Sequence, residues 1–415
     1  MARTDIIVLG AGIVGTAAAA HLVKKGLSVA LIDRGGTGEA TSYGNAGIIE
    51  GNTIFPVTFP SDWGELLRIA LKRSPIANYH LTFLPQVAPW LWAFRAASQP
   101  TRILETARLM RPLFARAVAE HEALAAEADA ARYLRHTGWL KLYRSDKSFA
   151  ATARERDLAA DLGIANVPLE AQAARALEPS LAPVFRHAVH WTDAVSVSNP
   201  LALTRAYAAR FAALGGLRFT GDARTLHRNG AAWRVDTSAG ALDAANVVVA
   251  LGPWVPDLLN PLGIRLPLAV KRGYHRHFRA RGNAGLSRPV LDAENGYVLA
   301  PMEQGIRLTT GAEFAARDAK PTPVQFGRLL PAVRELFPLG EAVEPQPWMG
   351  SRPCFADSRP VIGRAPGQDG LWLACGHGHW GLTLSAATGR LLAELITGAA
   401  PFCDPAPYGA ERFMK

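Results

Sequence analysis

Asp5-Ile6-Ile7-Val8-Leu9-Gly10-Ala11-Gly12-Ile13-Val14-Gly15 runs an apolar segment into a glycine-spaced turn, and an alanine-rich stretch continues to about Val23. The order predicts a strand, a tight turn and a helix. Gly10 permits the turn, Gly12 lets the backbone approach a phosphate, and Gly15 lets helix and strand pack closely. Ile13 and Val14 open the helix, whose N-terminal N–H groups and partial positive charge suit a pyrophosphate. Ser28 to Ile32 reads as a second strand ending at Asp33, whose carboxylate is placed for the ribose hydroxyls of an adenosine, with Arg34 next to it. A lone glycine motif is weak, but here strand, helix, second strand and terminal acid follow one another within about thirty residues. The competing reading, a secretory signal, has no use for three glycines at this spacing or for an acid closing the next strand. The run is also shorter than the roughly twenty apolar residues that span a bilayer.

At 415 residues the chain has room for two domains, or for one dinucleotide-binding domain interrupted by a second. Cys354, Cys375 and Cys403 are odd in number and far apart, which favours neither a disulfide framework nor a metal site. A cytoplasmic location follows, with peripheral contact to the inner membrane left open. The net charge of +10 would suit an anionic partner. Its arginines are dispersed, however, and form no block of five like charges, so the expectation is a solvated basic surface and no nucleic-acid partner.

After Asp33, the small polar segment Gly38 to Gly47 can lie along a ligand without bulk. Residues 52–99, rich in proline and aromatics, predict two or three short helices. One of these, Asp62 to Arg73, could lie on a membrane, but reads better as a cap over the site or core. Thr101 to Arg132 predicts a long amphipathic helix divided or kinked at Pro112. Further helices are expected at Asp146 to Leu162 and Pro200 to Leu214, the latter capped by Asn199. Strands are expected at 138–143, 189–191 and 231–236, and again at 271–278, 297–301 and 306–310. Asn246 to Gly252 reads as a strand buried on both faces, and Leu371 to Cys375 as another, before a glycine- and histidine-rich turn and a final helix from Leu382 to Thr397.

With these residues in view, the chain resembles the D-amino-acid oxidase and dehydrogenase superfamily of FAD enzymes, and within it the bacterial D-amino-acid dehydrogenase catalytic (small) subunits. Four motifs carry the resemblance over essentially the whole length. They are Gly10 to Gly15 with Asp33 and Arg34; Ser42-Tyr43-Gly44-Asn45-Ala46-Gly47; Val248-Val249-Ala250-Leu251-Gly252-Pro253-Trp254; and Gly350-Ser351-Arg352-Pro353 through Gly363, with Gly376-His377-Gly378-His379-Trp380-Gly381. The implied fold is α/β, a Rossmann-like FAD-binding domain (1–51, 186–265 and 345–415) interleaved with an antiparallel-sheet α+β substrate or cap domain (52–185 and 266–344).

The resemblance also implies noncovalent FAD, since Gly350 stands where some subfamilies place a flavin-tethering cysteine. Besides the residues above, it assigns Thr41, Ser42, Asn45, Ala46, Gly47, Ala223, Ala250, Gly252, Trp254, Arg352, Gly378, Gly381, Leu382 and Thr383 to the cofactor. The N–H groups of 381–383 would stabilise negative charge on the ring. Arg352 is implied as the anchor for a substrate carboxylate. Tyr274 would add a hydroxyl, and His377 sits under the ring. The plainer readings are an Arg352–Asp357 ion pair, ordinary packing for Tyr274, a turn brace for His377 and a surface place for His379. Glu50 and Asn52 lie close enough in sequence to meet the substrate amine.

The implied reaction is oxidation of a D-amino acid or of a cyclic D-imino acid such as D-proline, by hydride transfer from Cα to flavin N5. Electrons would pass to a quinone or another acceptor, with no metal. Alternatives are a glycine- or sarcosine-type oxidase releasing peroxide, and a non-catalytic FAD-binding subunit of a larger complex. Whether the chain forms homo- or hetero-oligomers stays open.

Overall fold

Strand Ala2–Leu9 occupies the middle of an eight-stranded sheet in the computed structural model, which describes residues 2–50 and 55–414. Val29–Asp33 and then Leu217–Thr220 lie parallel on one side of it, with Gly240–Val249 and then Leu371–Cys375 parallel on the other. Each connection between parallel neighbours needs a crossover, and the opening helix Ile13–Lys24 supplies the first. Val247, Val248 and Val249 are fully buried, as expected of a strand covered on both faces. The first half of Gly240–Val249 pairs instead with the hairpin Ala232–Thr237 and His227–Asn229.

The opening helix carries a run of alanines, Ala17 to Ala20, all buried. The final helix, Gly381–Thr397, packs on it at Gly389, where an added Cβ would lie 2.8 Å from the Ala17 backbone. Small residues on both sides allow the close approach. The long helix Pro100–Glu127 then covers the final helix, burying Met110, Leu113, Phe114, Ala117 and Leu124.

A second sheet of eleven strands is mostly antiparallel and centres on the long strand Ala269–Ala280. Gly305–Thr309 borders this strand on one side, and Trp348–Cys354 borders it on the other. A three-stranded sheet of Ile48–Ile49, Val195–Val197 and Leu134–Arg135 joins the two halves. His187–Trp191 and Trp348–Cys354 belong to the eleven-stranded sheet, although the expected boundaries put 186–265 and 345–415 with the dinucleotide part.

Three expectations need correction or narrowing. Of the two outcomes expected at Pro112, division does not occur, and the helix continues through it because its buried face is held by packing. The expected helix Asp146 to Leu162 is two, Asp146–Ala150 and Ala153–Asp161. At the break, the Thr152 hydroxyl and the Arg156 guanidinium both donate to the Phe149 carbonyl and so compete with helix continuation. Helix Trp63–Ala70 packs its apolar residues inward only in part, at the half-buried Leu66 and Ile69. Trp63 is 78% exposed, Leu67 60% and Leu71, just past its end, 56%, while the buried residue is Glu65. No helix among the described residues is long and apolar enough to cross a membrane.

The close approach of the first and last helices is testable. Gly389→Val should destabilise the protein by about 1–3 kcal/mol through overpacking. Thermal unfolding should show a melting temperature several degrees lower.

Candidate active site

The glycine turn is as tight as its sequence requires. Gly10 has φ +105°, and a Cβ there would lie 2.4 Å from the Ala250 carbonyl oxygen. A Cβ on Gly15 would lie 1.9 Å from the Gly10 carbonyl oxygen. Asp33 ties the second strand to this turn, its carboxylate accepting from Ala11 N–H at 2.7 Å and Gly35 N–H at 2.9 Å. A carboxylate offers about four lone-pair directions, so two remain for ligand hydroxyls. Ser42 closes on the helix N-terminus, where its hydroxyl accepts from Ile13 N–H at 2.9 Å.

From here a single cavity of about 1150 Å³ runs to the second sheet. That exceeds the usual volume of a small-molecule pocket, about 300–1,000 Å³, and leaves room for a dinucleotide together with a substrate. Its wall includes Gly10, Gly12, Ile13, Val14, Asp33, Arg34, Thr41, Ser42, Asn45, Ala46, Ala223, Ala250, Gly252, Trp254, Arg352, Gly378, Gly381 and Leu382. Chain segments nearly 400 residues apart in sequence thus meet on one surface. Gly15, Gly47 and Thr383 do not form part of the lining itself. Gly15 serves packing, Gly47 takes φ +71° against Val197, and the Thr383 hydroxyl donates to the Ile48 carbonyl.

The final helix has no side-chain N-cap, and its first N–H groups have no intrahelical acceptor, so the positive end of its dipole faces the cavity at Gly381 and Leu382. Arg307 fixes the segment 42–47 beside it, donating to the Tyr43 and Asn45 carbonyls at 2.9 and 2.5 Å. Trp348 stacks on His275 and meets Tyr43 edge-on. Its ring fills the space over Gly44 and Gly350, where Cβ atoms would lie 1.7 and 2.2 Å away. No side chain, and so no cysteine, fits at Gly350 without moving that tryptophan.

Arg352 reaches the cavity from Trp348–Cys354 and leans over Gly273, whose missing side chain makes room for the guanidinium. Its Nη1 is buried without a hydrogen-bond partner. The alternative ion pair with Asp357 is absent among the described residues, because Asp357 binds Arg359 and Arg412 at 3.1 and 2.9 Å. Burial holds the Arg352 pKa below the ordinary arginine value.

Tyr274 borders the cavity, but strand alternation turns its side chain away from the Arg352 face. Lys271 and Gly273 share the Arg352 face, so Tyr274 and Arg272 point to the other. There the Tyr274 hydroxyl donates to Glu313 at 2.6 Å and accepts from Thr322 N–H and Arg272 at 2.8 and 3.1 Å. Arg272 and Glu313 form an ion pair at 2.6 Å with no solvent exposure. Burial alone would raise the Glu313 pKa, but hydrogen bonds from Thr322 and Tyr274, with the Arg272 charge, lower it instead. The hydroxyl therefore has structural work and none to spare for a ligand.

His377 lines the cavity as well. Its Nε2 bonds Thr388 Oγ1 at 3.0 Å, bracing the turn against the final helix, and burial lowers its pKa to about 4, so the ring is neutral at pH 7. His379 is exposed, as expected, and lines the mouth of the cavity. Desolvation by the surrounding walls first, then the charges of Arg352 and Lys271, hold its pKa well below 6.5. Glu50 lines the cavity beside Thr383, while Asn52 lies outside the described residues. Sequence reasoning missed Lys271 and Trp348 on this wall, and Arg307, which holds the 42–47 segment from behind it. For Lys271 the signal existed, since period-two alternation from Gly273 puts it on the ligand face.

Residues 5–395 match the family described as DAO, FAD dependent oxidoreductase. A D-amino acid dehydrogenase of Paramagnetospirillum magneticum is 31% identical over 99% of both chains, and a D-amino-acid oxidase of Bradyrhizobium diazoefficiens is 30% identical over 99% of both. The crystal structure of a glycine oxidase from Geobacillus kaustophilus superposes over all of both chains with a TM-score of 0.78 at 23% identity.

The placement of Tyr274 predicts a separable effect. Tyr274→Phe leaves Glu313 and the Thr322 N–H short of a partner and should cost about 1–3 kcal/mol of stability. Substrate KM should stay within about threefold, as measured by steady-state kinetics alongside thermal unfolding.

Proposed function

Because the chain belongs to the DAO family of FAD-dependent oxidoreductases, we propose that it oxidises the Cα–N bond of a D-amino acid or cyclic D-imino acid and delivers the electrons to a quinone-type acceptor. FAD fits the residues present. The Gly10–Gly15 turn leaves space where side chains would intrude, two helix N-termini face one cavity, and Asp33 keeps lone pairs for ribose hydroxyls. Bound there, FAD supplies the two-electron sink that the reaction requires.

The observation that carries the reading is Arg352, a buried guanidinium on the cavity wall with an unpartnered Nη1. A carboxylate matches its planar fork with two parallel hydrogen bonds, which fixes the position of Cα relative to the ring site. Positioning of this kind is most of what hydride removal asks of a protein. No acid or base on the chain has to protonate a leaving group, which agrees with neutral His377 and His379 near the turn. The substrate leaves as an imine, and water then hydrolyses a primary imine to a 2-oxo acid and ammonia.

Names among the relatives support a D-amino acid as substrate. The glycine-oxidase-like structure favours a second reading, a small-amine oxidase, which is distinguished by peroxide release in air.

Anaerobic mixing of the holoenzyme with a panel of D-amino acids should bleach the flavin absorbance within minutes. Failure with every D-amino acid, cyclic imino acid and N-methylglycine would overturn the reading. Arg352→Ala should retain FAD and raise the dissociation constant of carboxylate inhibitors about 10- to 100-fold, the loss of a charged hydrogen-bonded pair. Unchanged inhibitor binding would remove Arg352 as the anchor.

A further inference from the structure

Directly opposite Arg352 in the antiparallel ladder stands Lys271, so the two side chains share a face of the sheet and leave it about 5 Å apart. Both line the cavity. Arg352 leans toward Gly273, while the Lys271 ammonium lies over the rings of Phe94 and Trp90, 4.2 and 4.8 Å from their centroids. Trp90 is itself fixed to the same sheet, its indole donating to the Cys354 carbonyl at 3.1 Å.

Neither cation has a carboxylate. Among the described residues, neither forms an ion pair, and the groups whose charge acts on Lys271 are the Cys354 thiol and Arg352. Burial pushes the thiol pKa up, so it supplies no anion. Elsewhere on the cavity wall, Glu39, Glu155, Asp222 and Asp257 are paired with Arg205, Lys141, Arg224 and Arg317, Asp33 accepts from backbone N–H groups, and Glu50 is engaged too and is not among the charges that act on Lys271 or Arg352. Residues 51–54, Gly-Asn-Thr-Ile, contain no acid.

A lysine only 5% exposed and without a counter-ion is costly, and aromatic faces offset only part of that cost. For packing alone, methionine or leucine would serve better. Burial, with repulsion from Arg352, lowers the Lys271 pKa from 10.5, and a bound anion would reverse that shift. The arrangement makes physical sense when a ligand supplies two negative charges.

We propose that the substrate is a dicarboxylic amino acid, its α-carboxylate on Arg352 and its second carboxylate on Lys271. The inference rests on the reading of the site as an amino-acid-oxidising centre and narrows its substrate class. The second carboxylate can belong to the side chain, as in D-aspartate or D-glutamate, or to a substituent on nitrogen, as in N-(carboxymethyl)glycine.

The test is anaerobic turnover of the holoenzyme with these three compounds and with the neutral D-glutamine and D-norvaline. At least one dicarboxylate should exceed the neutral compounds about tenfold in kcat/KM, the preferred compound showing where the second carboxylate sits. Lys271→Met should cut that preference at least about tenfold, and Lys271→Arg should restore most of it. Equal or better turnover of the neutral compounds overturns the inference while leaving amino-acid oxidation in place, and so does a preference that Lys271→Met does not change. Should no amine be oxidised, succinate and glutarate are compared with butyrate by their perturbation of the flavin spectrum. Tighter dianion binding that Lys271→Met abolishes sustains two-anion recognition and removes only the reaction. Equal binding of mono- and dianions overturns it.

Discussion

The final helix can lie against the opening helix because neither side presents bulk at the crossing, Gly389 meeting the backbone of Ala17. Much follows from this approach. It brings the unprotected N–H groups at Gly381 and Leu382 to the same cavity as the Gly10–Gly15 turn, so two helix dipoles present their positive ends to one ligand. A larger residue at the crossing would push the two ends of that ligand site apart. The alanines at 17–20 thus serve geometry more than helix propensity.

Strand Ala269–Ala280 shows how one element can do two kinds of electrostatic work. On its outer face Arg272 is neutralised by Glu313, with Tyr274 and Thr322 filling the remaining hydrogen-bond positions. Such a buried, fully satisfied network is expensive to break and specifies local structure. On the cavity face Lys271 has no counter-ion and neither does its neighbour Arg352. The difference between a structural ion pair and a ligand-facing pair of cations comes down to which face of the pleat a residue occupies.

The two histidines of the 376–381 turn divide in the same way. His377 turns its ring to Thr388 and locks the turn to the final helix, whereas His379 opens toward Arg352. Both are held neutral by desolvation, so the cavity's positive charge at neutral pH comes from arginine, lysine and helix dipoles, which do not switch near pH 7.

Local chemistry made much of this legible from the sequence. Glycines at 10, 12 and 15 with Asp33 specify a dinucleotide turn because steric freedom and the strand-helix-strand order are properties of neighbouring residues. The Asn199 cap, the hairpin near 230 and the apolar strand at 247–249 are local in the same sense. The cap and the hairpin bond within a few residues, the strand is marked by its unbroken apolar run, and the structure has all three where expected. Arg352 was reachable through its motif.

What only the tertiary structure decided depends on distant partners. Where the Tyr274 hydroxyl points was settled by strand pairing, and whether Pro112 broke its helix by packing against the final helix. That Lys271 would stand uncompensated opposite Arg352 depended on the register of two strands some eighty residues apart and on acids of the same cavity, Glu39, Glu155 and Asp257 among them, being paired elsewhere. A sequence states which charges exist; only the folded chain determines which of them go unanswered, because neutralisation depends on distance and dielectric rather than on order along the chain.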